Sequence, residues 1–104
     1  MKFKIIFPKD FDEDELVKFE TESKGYLYNV ILETENNKYN LCFYDVERLK
    51  QSKENIGNTN YFFEPNLIVV DIVNKDNIFH SISDILEKGF EMLFLPGNVY
   101  SSKS

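Results

Sequence analysis

The sequence predicts an α+β fold: a single domain with a mixed five-stranded sheet and two to three helices packed on it. Three observations carry this. The chain has 104 residues, near the mode for one domain and short for two cores. Hydrophobic residues make up 42%, with ten Phe and six Tyr, so a packed core is within reach and wholesale disorder is excluded. The hydrophobic period switches between two and 3.6 along the chain, in the order β-α-β-β-α-β-α-β. A collagen-like or disulfide-stapled chain is excluded by 4 Gly, 3 Pro and one Cys.

Residues 2–7 alternate Lys and apolar side chains and stop at Pro8, a short half-buried strand. A helix over about 13–23 follows. Asp12 is placed to cap it, Glu15 stands three residues on, Phe11 can staple onto Leu16, and Gly25 ends it. Leu16, Val17 and Phe19 are its apolar residues, few enough that Leu16–Glu22 as an edge strand stays open. YLYNVILETE and KYNLCFYD flank Asn36-Asn37, a pair that tolerates positive φ, and read as a hairpin. Asp45 caps a second helix over about 46–55, with Val46, Leu49 and Ile56 apolar and Gly57-Asn58 ending it. LIVVDIV, after Pro65, reads as a strand covered on both faces. Asn74 or Asp76 starts the third helix, whose stripe is Ile78, Phe79, Ile82, Ile85 and Leu86, and Gly89 stops it. FEMLFL is expected as the fifth strand, reached by a right-handed crossover from LIVVDIV. The domain is expected over 1–97, with 98–104 a frayed tail.

Chemistry is sparse. One Cys and one His fall short of a zinc set, and DFDEDE lacks the Gly and distal Glu of a calcium loop, so no metal is expected. Neither GxGxxG nor GxxxxGK occurs, and no cofactor is expected. Cys42 lies mid-strand as a small hydrophobe, and His80 lies on the polar face of the third helix, four residues before Asp84. Asp71 interrupts an apolar strand and is the best single candidate for an acid–base carboxylate. These residues do not assemble a nucleophile–base pair, and the expected protein is not an enzyme. The short apolar run at the start, broken by Lys4 and stopped by Pro8, is no signal peptide, and a cytoplasmic protein is expected.

Charge is the uneven feature. The formal net charge is −6, which argues against a direct nucleic-acid partner, and no window is apolar enough for a membrane span. Between Asp10 and Glu35 there are nine acidic and two basic residues, a net of −7, so the remaining 78 residues carry +1. A solvated, solubilising face is the plain reading of such a run. The functional reading is a docking face for a basic partner, built from Asp10, Asp12, Glu13, Asp14, Glu15, Glu20, Glu22, Glu33 and Glu35, with Tyr26 and Tyr28 as aromatic anchors.

Three segments, FYDVERL (43–49), YFFEPNLIVV (61–70) and the NI…GF frame of 77–90, resemble small bacterial proteins of about this length. In size, acidity and composition (no Ala, eleven Asn, nine Ile, as an A+T-rich gene produces) the chain is similar to immunity proteins of bacterial toxin systems, including contact-dependent growth inhibition. That resemblance implies neutralisation of a cognate toxin, commonly a nuclease, by binding over or beside its active site; it assigns no residue a role. The alternative expectation is a small structural or regulatory subunit that self-associates, through a sheet edge or the aromatic strands, as a homo-oligomer.

Overall fold

The computed structural model describes residues 2–9, 11, 14–54 and 63–97. The order is β1 (Lys4–Ile6), α1 (Glu15–Lys24), β2 (Tyr26–Glu33), β3 (Lys38–Tyr44), α2 (Val46–Glu54), β4 (Leu67–Val69), α3 (Lys75–Glu87) and a 3-10 helix over Phe90–Leu93. The four strands form one mixed sheet in the order β1-β2-β3-β4. β1/β2 and β2/β3 pair antiparallel, while β3/β4 pair parallel across the α2 crossover. The fold is α+β, as the sequence predicts, with one strand fewer among the described residues.

FEMLFL accounts for the missing strand. Gly89 adopts φ 76, turning the chain out of α3 into the 3-10 helix. The Glu91 carboxylate then accepts from Tyr39 Oη at 2.8 Å and from Thr34 Oγ1 at 3.1 Å, which ties the segment to the hairpin. Among the described residues β4 therefore lacks the partner expected on its outer side and stands at the edge of the sheet. It ends at Val69, which is 43% exposed, and Asp71 lies exposed in the bend beyond it. The parallel pair expected of the last two strands falls instead between β3 and β4.

Strand alternation sends Leu27, Val30, Leu32, Tyr39, Leu41 and Phe43 to one face of the sheet, where Phe11, Val73, Ile78, Ile82 and Leu86 close the core. α3 supplies Ile78, Ile82 and Leu86 one turn apart, all buried, and is capped by Asn74, whose Oδ1 accepts from Asn77 N at 2.8 Å. Phe79, expected in that stripe, lies half out and stacks on Phe3 with ring centroids 5.8 Å apart.

α1 starts later than expected. Asp14, not Asp12, is the cap, its Oδ1 accepting from Leu16 N at 2.9 Å. The staple from Phe11 to Leu16 does not form. Phe11 is buried in the core beside Phe7, and Leu16 is 62% exposed. Gly25 ends α1 at φ 79, and its position demands glycine twice over. Any Cβ there would stand 2.5 Å from Asp45 Oδ1. That carboxylate is itself engaged as the α2 cap, accepting from Arg48 N at 2.8 Å.

The hairpin is as expected, but its turn is not a two-residue Asn-Asn turn. Four residues, 34–37, close it, with Thr34 N donating to Asn37 O at 2.9 Å and Asn37 N donating to Thr34 Oγ1 at 3.2 Å. Positive φ falls instead on Asn29 (62) and Asn66 (55). Asn29 belongs to a β-bulge, where the register shifts between Leu27 and Val30. No helix among the described residues is long and apolar enough to cross a membrane. The expected ends of α2 (Ile56, Gly57, Asn58) and the 98–104 tail lie outside the described residues.

Candidate functional site

The acidic block is not one surface. Asp14, Glu15, Glu20 and Glu22 lie exposed on or at the start of α1. Glu33 and Glu35 lie at the far end of the eight-residue β2, some ~20 Å along the strand from Tyr26. Glu33 is half-buried and pairs with Lys38 across the hairpin at 3.4 Å, whereas Glu35 stands exposed in the turn. Asp10, Asp12 and Glu13 lie outside the described residues. Tyr26 and Tyr28 are on the reverse face of the sheet: their neighbour Leu27 points into the core, so they point away from it. Helix and tyrosines meet at Lys24, whose Nζ stands 6.0 Å from the Tyr26 ring centre. The single docking face expected from all these residues is thus divided into α1, the tyrosine face and the hairpin tip.

On α1 the helix period decides which residues reach solvent. Val17 packs against the core, and Thr21, one turn on, is buried with its hydroxyl donating to Val17 O at 2.8 Å. That orientation turns Leu16 and Phe19 outward, 62% and 66% exposed. They stand three residues apart on one side of the helix, with Glu15, Glu20 and Glu22 around them, and Glu15 is loosely paired with Lys18 at 3.6 Å. Leu16 and Phe19 were expected to face inward; Val17 and Thr21 take the inner side of the helix instead, and Phe11 supplies an aromatic ring to the core. An apolar pair with an acidic rim has the anatomy of a protein interface: apolar centre, polar margin.

The reverse face of the sheet carries a second constellation. Tyr28 and Tyr44 share a hydrogen bond between hydroxyls at 3.0 Å, and Tyr26 stacks against Tyr28 with centroids 5.3 Å apart. Arg48, the only arginine of the chain, reaches back from α2 to lie 4.7 Å over the Tyr26 ring and 5.6 Å over that of Tyr44. Among the described residues its buried Nε finds no hydrogen-bond partner. The Tyr44 hydrogen bond, then burial, pushes the Tyr28 phenol up to about 12. Burial works against the charge of Arg48, but the hydroxyls of Tyr28 and Tyr44 outweigh it and its pKa is raised. This cluster clamps α2 onto the sheet, and the sequence signal for it was the lone Arg in a chain that otherwise uses Lys, since only guanidinium stacks flat on tyrosine. Beside it, Asn40 Nδ2 donates to Asn29 Oδ1 at 3.1 Å across the bulge.

Cys42 is buried, its thiol pushed up to about 12 by burial and by the charge of Glu64. His80 is exposed and edge-on to Phe79; the Asp84 carboxylate expected beside it pairs with Lys88 at 3.1 Å. Among the described residues no three His, Cys, Asp or Glu side chains group as a metal site. Compared with protein-family models, curated proteins and solved structures, the chain matches none.

Proposed function

We propose that the protein is a non-enzymatic binding protein, an immunity-type inhibitor that docks a basic toxin domain, such as a nuclease, through the outer face of α1. The observation that carries this is the exposure of Leu16 and Phe19 inside a ring of carboxylates. The fold does not use these side chains, so their burial is available to a partner, at about 1.5–3 kcal/mol for each if fully covered. Asp14, Glu15, Glu20 and Glu22 supply charge complementarity, which accelerates encounter with a positive surface and weakens as salt rises. Asp10, Asp12 and Glu13 extend the same charge along the chain just before the helix. The inhibitor acts by occlusion and contributes no chemistry.

The reading is tested by growth protection, co-expressing the protein with the toxin domain that the reading expects in a neighbouring gene. Wild type should protect. The double variant Leu16→Ala/Phe19→Ala should lose protection while keeping the wild-type unfolding midpoint, and reversal of Asp14, Glu15 and Glu20 to Lys should slow association most strongly at low salt. Undiminished protection by both variants would sink the proposal.

A further inference from the structure

β1 and the first turns of α3 do not close on one another. Alternation along residues 3–7 puts Phe3, Ile5 and Phe7 on the core-facing side of β1, yet all three are only half-buried. Opposite them, Lys75 and Phe79 stand one turn apart on α3. Between the two elements lies a cleft of about 820 Å³, within the size range of small-molecule sites. Phe79 is 50% exposed, so the cleft opens to solvent.

The walls are aromatic from end to end. At one end Phe3 and Phe79 stack, with ring centroids 5.8 Å apart and planes 30° from parallel. At the other, Lys75 Nζ stands 5.6 Å over the Phe7 ring. Phe3 and Phe7 are four residues apart, about 13 Å along an extended strand. Lys2, next to Phe3 in the chain, lines the cleft as well. Among the described residues the lining thus holds two lysines and one carboxylate, Asp76, in a chain whose net charge is −6.

We propose that this cleft binds a small aromatic carboxylate, its ring held between β1 and α3 and its carboxylate at Lys75. The three phenylalanines offer faces and edges to a flat apolar body, which packs on them by offset or edge-on contact. A carboxylate conjugated to a ring lies in the ring plane, so it leaves the slot edge-first and meets an ammonium at its mouth. The N-terminal end of α3, where Lys75 sits, adds the partial positive charge of the helix dipole on the same side. A basic protein surface would meet Lys2 and Lys75 here, so the cleft is not an extension of the α1 docking face.

The test is amide NMR of the isotope-labelled full chain, titrated with 2-naphthoate to about 5 mM. Shifts should concentrate at Ile5, Phe7, Lys75, Asp76 and Phe79 and should saturate. Lys75→Gln, at an exposed position, should raise the Kd for 2-naphthoate about tenfold and leave the weaker binding of neutral 2-naphthol unchanged. Phe79→Ala, at a half-exposed ring, should weaken both, with a spectrum that stays dispersed. Leu16→Ala/Phe19→Ala should bind 2-naphthoate as wild type does, so loss of the α1 reading leaves this one standing. Four outcomes would overturn the proposal: no saturating shifts, shifts centred away from the cleft, a Kd indifferent to Lys75→Gln, or decanoate or 2-naphthylmethylamine binding as tightly as 2-naphthoate.

Discussion

α1 and α3 cover the same face of the sheet and use their apolar residues in opposite ways. α3 turns Ile78, Ile82 and Leu86 inward, none more than 4% exposed, and is held by that stripe. α1 turns in only Val17 and Thr21 and is held by its ends: the Asp14 cap, the left-handed Gly25 and the hydrogen bond from Asp45 N to Gly25 O at 2.8 Å. A helix fixed at its termini can spend its outer face on something other than folding. The contrast separates residues that hold the molecule together from residues open to selection for binding.

The sharpest way to break this comparison is to truncate one residue from each stripe. Ile82→Ala should lower the unfolding free energy by about 2–5 kcal/mol, since it empties a fully buried site. Leu16→Ala should change it by less than about 0.5 kcal/mol. Equal losses in urea denaturation would show that α1 is core-bound after all. Gly25→Ala should fall between, costing roughly 2 kcal/mol, because alanine at φ 79 is strained and its methyl meets the Asp45 carboxylate. The smallest effect is spectroscopic and lies on the reverse face of the sheet. Tyr28 should ionise near 12 in an ultraviolet pH titration, and Tyr44→Phe should move it toward the ordinary 10.0 by removing the hydroxyl that holds the neutral phenol. Because the folded pKa is raised, the stability linked to Tyr28 is complete below pH 10 and is lost as pH climbs toward 12.

Short-range features were legible in the sequence. The caps at Asp45 and Asn74, the stops at Gly25 and Gly89, and the stripe of Ile78, Ile82 and Leu86 all depend on neighbours within a turn or two. What was not legible depends on distant partners. FEMLFL has the composition of a strand, but Glu91 is captured by Tyr39 and Thr34, more than fifty residues earlier. The outward turn of Leu16 and Phe19 goes with Phe11 and Val17 entering the core in their place, a choice among apolar residues that spacing alone leaves open. The acidic block looked continuous because sequence distance hides the sheet: β2 separates Glu33 from Tyr26 by its full length, and the pleat puts Tyr26 and Tyr28 behind the face that α1 covers. The bulge at Asn29 left no stronger mark than an Asn inside a strand.

Cys42 gives the molecule an internal clock. It is the one sulfhydryl of the chain, on a strand bonded on both sides, and with its acidity pushed to about 12 almost none of it is thiolate at neutral pH. A thiol reagent therefore reacts slowly with the closed sheet and faster in the moments when β3 lets go of its neighbours. The rate of alkylation reports how often the centre of the sheet opens, with no label added and no residue changed.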